Sequence, residues 1–153
     1  MNSLFKYNFL LASILLWTSC SQESPSEGEY KIYDPGKMQV ITTVLNPELQ
    51  SMAILYGNSL AYNAALEGEG NHVEGEQYTF VTWNYRENPR WFGSNINEDL
   101  ISVEKLRVTK DQNGFIDFDY AIELGTPLPV GGRQLSTKDR IAYLLDYHPA
   151  VLP

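Results

Sequence analysis

The segment LISVEKLRVTKDQNGFIDFDYAIEL, residues 100–124, decides the fold class. Its first part alternates apolar and polar side chains from Val103 onward, and its last part alternates acids with apolar residues. Such a period of two is typical of strands with one solvated face. The residues DQNG between the two parts, 111–114, are a tight-turn signal. The segment therefore predicts an antiparallel hairpin with Asp117, Asp119 and Glu123 on its solvated face.

Three more strand signals precede this hairpin. MQVITTVL (38–45) is a β-branched run and SMAILYG (51–57) is a short apolar run, and Asn46 and Pro47 mark a turn between them. They predict a second hairpin. EQYTFVTW (76–83) carries large side chains at both odd and even positions. Bulk on both faces is typical of an inner strand, because both faces of such a strand are covered.

Two segments predict short helices. The first, residues 58–70, has Asn58 or Ser59 as its N-cap and glycines at its end. Its residues at helical spacing are Leu60, Ala61, Ala64 and Ala65. The second, residues 136–147, has Ser136 or Thr137 as its N-cap. Its predicted buried stripe is Ile141, Leu144 and Leu145. The fold class is therefore predicted to be α+β, a mostly antiparallel sheet of about five strands with two short helices.

The first twenty residues predict an exported, anchored protein. MNSLFK is basic, YNFLLASILLW is apolar but too short to span a bilayer, and TSC places small residues before the only cysteine. This pattern resembles a bacterial lipoprotein signal, which implies removal of residues 1–19 and acylation of Cys20. The alternative is a simple signal peptide that leaves a free thiol. Residues 20–37, rich in Ser, Pro, Gly and Glu, predict a flexible tether, and residues 38–153 a single domain. The expected location is the cell envelope, on the periplasmic side or the cell surface.

The charge and the cysteine count exclude several function classes. The chain has a formal net charge of −8, and loss of Lys6 with the signal would leave 10 basic and 19 acidic side chains, a net charge near −9. An acidic protein repels phosphate backbones, so nucleic-acid binding is not expected. With Cys20 lipidated, the mature chain has no disulfide, no thiolate nucleophile and no thiol ligand for a metal.

The two histidines give weak signals for catalysis or metal binding. His72 lies in an acidic loop with Glu67, Glu69, Glu74 and Glu76. A divalent cation is one interpretation of this loop, but its spacing matches no calcium loop, and a solvated acidic loop is favoured. His148 is a ligand or a proton carrier in one interpretation and a terminal histidine bonded to backbone in the favoured one. Neither a nucleophile elbow nor a phosphate-binding glycine loop is present. The chain is therefore not expected to be an enzyme or to hold a metal.

The stretch TFVTWNYRENPRWFG, residues 79–93, concentrates aromatic and arginine side chains. Arginine stacks on aromatic rings and holds anions, so a ligand-binding site is one hypothesis. Its candidate residues are Trp83, Tyr85, Arg90, Trp91 and the distant His148. The competing interpretation is core and turn packing, because a domain without disulfides needs the apolar area that these rings supply.

Several phrases in the sequence are similar to those of the bacterial cytochrome P-460 family. They are TVLNPEL, MAILYGNSLA, FVTWNYRENPRWFGSNI, LISVEKL and RIAYLLDYHPAVLP, from about Val40 to the C-terminus. The resemblance implies an antiparallel sheet with packed helices, and periplasmic haem proteins that oxidise hydroxylamine or bind nitric oxide. However, the family's Cys-x-x-Cys-His haem attachment and its haem-crosslinked lysine have no counterpart here. No catalytic residue carries over.

Three functional interpretations follow. The favoured one is a lipid-anchored, noncatalytic envelope domain that binds a small ligand or a partner and needs no cofactor. The alternative is a periplasmic haem protein of the cytochrome P-460 type, acting on hydroxylamine or nitric oxide through noncovalent haem with His148 as the iron ligand. The third is a purely structural envelope component.

Overall fold

Residues 32–68 and 70–149 are described by a computed structural model. The predicted signal peptide, Cys20 and the tether up to residue 31 lie outside these residues. In chain order the elements are β1 (Gln39–Asn46), β2 (Ser51–Gly57), α1 (Ser59–Glu67), β3 (Gln77–Glu87), β4 (Asn95–Lys110), β5 (Ile116–Gly125) and α2 (Thr137–Leu145). Within the described part of the chain, no helix has both the length and the apolar character that a membrane span requires.

The strands form one five-stranded sheet in the order β1-β2-β3-β4-β5, and every neighbouring pair is antiparallel. Each strand therefore pairs with its neighbour in sequence, as short connections favour. The α+β prediction and both predicted hairpins are confirmed. The DQNG turn is held by the Asp111 side chain, whose Oδ1 accepts hydrogen bonds from the backbone N–H groups of Asn113 and Phe115, both at 2.8 Å.

The central strand β3 is covered on both faces, as its sequence predicts. Residues 78–83 are all buried. Tyr78 and Phe80 belong to the cluster beneath the helices. On the other face, Val81 and Trp83 pack with Tyr56 and Val103 in a second cluster. Tyr33 and Met38 pack against the second cluster, so the described end of the predicted tether lies on this face.

Both helices are capped by side chains that the sequence indicated. The Asn58 side chain accepts from the N–H of Ala61 at 3.0 Å, and the Ser136 hydroxyl accepts from the N–H of Asp139 at 3.2 Å. Such caps satisfy N–H groups that the first helical turn leaves without partners. The buried stripes are narrower than predicted. In α1 only Ala61 and Ala65 are buried, and Leu60 is 44 % exposed. In α2 the buried residues are Leu144 and, unexpectedly, Arg140.

Candidate functional site

A buried ion pair lies between the sheet and α2. Arg140 donates from Nη2 to Oε1 of Glu104 at 2.6 Å and from Nε to Oε2 at 2.7 Å. Glu104 is 0 % exposed and Arg140 is 5 % exposed. This is the two-pronged geometry that makes arginine–carboxylate pairs strong and directional. The two charges neutralise each other inside the protein.

The pair has further hydrogen-bond partners. The Tyr120 hydroxyl donates to Oε2 of Glu104 at 2.7 Å, and Nη1 of Arg140 donates to the carbonyl of Leu128 at 3.4 Å. The guanidinium also lies 5.6 Å from the ring centre of Phe80 and 5.0 Å from that of Tyr143. Burial and the hydrogen bond to the Glu104 carboxylate raise the pKa of Tyr120, so this phenol stays neutral at physiological pH.

Two grooves open on either side of Arg140. The β1 groove has a cavity volume of about 90 Å³, and its walls include Val44, Ser51, Phe80, Thr82 and Tyr143. The β5 groove has a volume of about 220 Å³, and its walls include Tyr120, Ile122, Gln134 and Leu135. Arg140 and Leu128 line both grooves. The loop of residues 126–135 therefore separates the grooves and covers the ion pair.

The loop over Arg140 has its own internal contacts. Val130 and Arg133 exchange backbone hydrogen bonds of 3.0 and 3.1 Å across the glycines between them. The Gln134 side chain donates to the carbonyl of Pro127 at 2.9 Å. These bonds hold the loop in a defined shape, so both grooves are preformed rather than created by collapse around a ligand.

The grooves are lined by groups that can recognise polar parts of a ligand. Hydroxyl and amide groups of Ser51, Thr82 and Asn46 line the β1 groove, and neither groove is lined by Asp, Glu, His or Cys. The titratable side chains that line them, besides Arg140, are Tyr143 in the β1 groove and Tyr120 in the β5 groove. Within residues 32–68 and 70–149, no cluster of three or more His, Cys, Asp or Glu side chains is arranged to hold a metal ion.

A third groove, the rear groove, lies on the opposite face of the sheet. Its volume is about 290 Å³, and Tyr33, Pro35 and Met38 form one wall. Lys105, Arg107 and Asp119 are the charged residues that line it. Lys105 is paired with Glu123 at 2.8 Å, and both of these side chains are about half exposed. The rear groove is therefore an open, solvated surface whose charges are of both signs.

In the acidic loop before β3, the burial of Glu76 differs from the prediction. Glu76, expected to be solvated, is 0 % exposed. Its carboxylate accepts from the Val73 N–H at 2.5 Å and from the Tyr78 hydroxyl at 2.8 Å, and lies 2.8 Å from Nδ1 of His72. Burial and the hydrogen bond to Glu76 raise the pKa of Tyr78. The carboxylate thus organises the loop, as buried polar groups do when fully bonded.

The predicted ligand-binding residues are not brought together in one place. Trp83 is 2 % exposed in the second cluster. Tyr85 is partly buried, and its N–H donates to the carbonyl of Gln50. Arg90 and Trp91 are exposed on the β3–β4 turn. His148 lies beside α1, with Nδ1 3.0 Å from the carbonyl of Ala65, near the opposite end of β3.

His148 is held against the backbone of α1 and lies apart from the three grooves. The contact of Nδ1 with a backbone carbonyl suits a terminal histidine bonded to backbone, and the same contact orients histidines that bind a metal through Nε2. His148 lines none of the three grooves described above. Trp83 lies in a core cluster and Trp91 on a surface turn, so neither is beside His148.

The sequence does contain a signal for the ion pair, but it is a subtle one. Glu104 is in phase with Leu106 and Val108, which are both buried. Arg140 lies four residues before Leu144 and so on the same side of α2. Two opposite charges, each at a position where the local pattern demands an apolar residue, indicate a buried pair, because a lone buried charge is too costly.

Comparisons of the chain with protein-family models and with curated proteins find no match. The resemblance to the cytochrome P-460 family therefore rests on the phrases quoted above. The function has to be argued from the geometry of the site.

Proposed function

We propose that this chain is a lipid-anchored, noncatalytic domain of the cell envelope that binds a small uncharged ligand in the grooves beside Arg140. The observation that carries the proposal is that one neutralised guanidinium forms a wall of both grooves. Glu104 already balances the charge of Arg140. The guanidinium therefore gives a ligand a flat surface for stacking and N–H donors in fixed directions, but no net charge.

The lining of the β1 groove supports binding of a molecule with a flat or short apolar part. Phe80 and Tyr143 supply ring surface, while Ser51 and Thr82 supply hydroxyl groups. Apolar walls with a few placed polar groups are typical of ligand sites. The volumes of about 90 and 220 Å³ lie below the roughly 300 Å³ of drug-sized sites, so the expected ligand is small.

The anchor is tested by labelling cells with a palmitate analogue. We expect the wild-type protein to carry the label and Cys20→Ala to lose it, because Cys20 is the only thiol in the chain. Detection of the protein by antibody in both strains controls for expression. Label that persists in Cys20→Ala would show that the acyl chain is attached elsewhere or that no lipoprotein processing occurs.

Filling the β1 groove should abolish ligand binding. Val44 lines this groove and is partly buried, so Val44→Phe places a ring in a cavity of about 90 Å³. With phenol and N-methylacetamide as probes, we expect the amide NMR signals of Thr82 and Gly131 to shift in the wild type and to stay fixed in Val44→Phe. The matched control is Val40→Phe on the same strand, because Val40 is 50 % exposed. It should retain the wild-type shifts.

Two outcomes of this titration count against the proposal. Shifts that persist in Val44→Phe would place the probes outside the β1 groove, and no shift in the wild type would favour the purely structural interpretation. Haemin is the probe for the haem alternative. We expect no Soret shift that depends on His148, since that ring lines neither groove. A shift that disappears in His148→Ala would instead support noncovalent haem.

A further inference from the structure

The turn between β3 and β4 exposes two large aromatic side chains. We call residues 88–94 the aromatic tip. Within it Trp91 is 71 % exposed and Phe92 is 110 % exposed, so neither ring has appreciable cover from the rest of the chain. A single exposed apolar residue is ordinary, but two adjacent rings at one tip form a concentrated apolar surface.

The backbone of the aromatic tip is held by its own hydrogen bonds. The N–H of Asn88 donates to the carbonyl of Ser94 at 2.9 Å, and the N–H of Ser94 donates to the carbonyl of Trp91 at 3.1 Å. The Asn88 side chain accepts from the N–H of Arg90 at 2.9 Å, and the Ser94 hydroxyl donates to Trp91 at 3.0 Å. Several backbone N–H and C=O groups of the tip are therefore hydrogen-bonded within the tip itself. This lowers the free-energy cost of moving the tip from water into a less polar layer.

The tip extends beyond the rest of the sheet. Strand β2 accompanies β3 only as far as Asn84, and β5 accompanies β4 only from Ser102 onward. Tyr85 still donates to the carbonyl of Gln50 in the β1–β2 turn, so the two residue pairs beyond it, those of Arg86 and Glu87, make a two-stranded arm about 7 Å long. The β1–β2 turn lies at the same end of the sheet, where Leu49 is 39 % exposed.

The exposed charges at this end of the sheet are of both signs, and the one next to Trp91 is positive. Arg86 is paired with Glu98 at 2.8 Å. Arg90, next to Trp91, and Glu87, at the base of the tip, are both exposed, and neither has an ion-pair partner among the described residues. Tryptophan with a neighbouring arginine is the combination found at the boundary between headgroups and acyl chains.

We propose that the aromatic tip inserts into the interfacial layer of the bilayer that holds the lipid anchor. This inference rests on the proposed anchor at Cys20. The twelve residue-to-residue steps from Cys20 to Ile32 reach about 40 Å when fully extended. Tyr33 lies in the rear groove beside Lys105, and the ten residues of β4 back to Asn95 span about 34 Å. The fully extended tether is thus about as long as this stretch of β4, so anchor and tip touch the same membrane when the tether is extended or β4 is inclined to the bilayer.

The size of the tip favours a bilayer over a folded protein partner. A stable protein interface buries about 800 Å² on each side, with 20–30 residues. The aromatic tip is a narrow seven-residue turn at the end of a two-stranded arm. An interfacial layer, in contrast, accepts a few rings without needing a complementary surface.

The test is quenching of tryptophan fluorescence by brominated lipid. The full chain, purified from membranes, is reconstituted in vesicles of phosphatidylglycerol and brominated phosphatidylcholine. Trp83 is 2 % exposed and out of reach of the quencher, so the difference between wild type and Trp91→Phe isolates Trp91 even if Trp17 is retained. We expect most of the Trp91 emission to be lost, and Phe92→Ser to restore part of it.

The matched control is Phe115→Ser, because Phe115 is also 71 % exposed but lies at the other end of β4. It should leave the quenching unchanged. Trp91 emission that brominated lipid does not quench, and that aqueous acrylamide does, would overturn the inference and indicate that the tip faces water or a protein. Loss of palmitate label in Cys20→Ala together with an unquenched Trp91 would contradict insertion of the tip and leave the anchor at Cys20 supported. Palmitate label that persists in Cys20→Ala together with a quenched Trp91 would contradict the anchor at Cys20 and leave contact of the tip with lipid supported.

Discussion

Replacing Arg140 by methionine should lower the free energy of unfolding by about 3–5 kcal/mol, the range for breaking one partner of a buried ion pair. The change leaves the Glu104 carboxylate 0 % exposed with the Tyr120 hydroxyl as its remaining described side-chain donor. It also removes the cation that contacts the rings of Phe80 and Tyr143. Urea unfolding measures the loss directly.

The matched control for this variant is Lys105→Met. Lys105 also pairs with a glutamate at 2.8 Å, but both partners are about half exposed, so water replaces the lost interaction. We expect a change below about 1 kcal/mol. Equal effects of the two substitutions would show that burial gives the Arg140 pair no special weight.

A double variant separates the contribution of the ion pair to stability from the contribution of side-chain packing. In Glu104→Leu with Arg140→Met, both charges are removed and apolar volume is largely kept. Because desolvation of two charges offsets much of their attraction, we expect the double variant to be more stable than Arg140→Met alone. If the double variant is instead the less stable one, packing and not the unpaired carboxylate causes the loss.

The strands were predictable from sequence because their signals are local. The alternation in residues 100–124 follows from the period of a strand, and Asp111 and Gly114 suit the turn that joins β4 and β5. The two N-caps, Asn58 and Ser136, were predictable for the same reason, since a cap is a contact between residues two or three apart.

The ion pair was not predicted because it joins residues 36 positions apart. At the level of one strand, Glu104 looks like a break in an apolar face, and a solvated face is the usual explanation. Only the packing of α2 on the sheet brings Arg140 to it. The groove walls depend on the same packing, because Leu128 and Phe80 line the β1 groove from different elements.

The aromatic stretch 79–93 shows how one composition serves two roles. Trp83 fits the alternation of an inner strand and is buried. Trp91 follows Pro89 in a turn and is exposed. Aromatic content alone does not separate these cases, because a core and an interfacial surface use the same rings. Whether a ring on this stretch is buried depends on where β2 stops pairing with β3, at Asn84, and this limit is set by the whole sheet.

A second large effect is expected at Gly125, where β5 ends and the loop over Arg140 begins. Its φ of +69° favours glycine, and a Cβ added there would lie 1.8 Å from the carbonyl oxygen of Ile101 on β4. That oxygen belongs to backbone and cannot rotate away. Gly125→Ala therefore forces the two strands apart next to the Ser102 pairing, and ladder hydrogen bonds are lost.

We expect Gly125→Ala to lower the free energy of unfolding by about 3 kcal/mol or more, from left-handed strain of about 1–2 kcal/mol and the loss of ladder hydrogen bonds of about 1 kcal/mol each. Gly114→Ala is the matched control, because its φ is +84° but an added Cβ would meet nothing within 4 Å. It should show the strain alone. Urea unfolding of both variants measures the difference, and equal losses would mean that the approach of Ile101 is not what requires glycine. Because Gly125 precedes the loop that walls both grooves, its alanine variant should also weaken the phenol-induced shifts at Gly131, while Gly114→Ala leaves them intact.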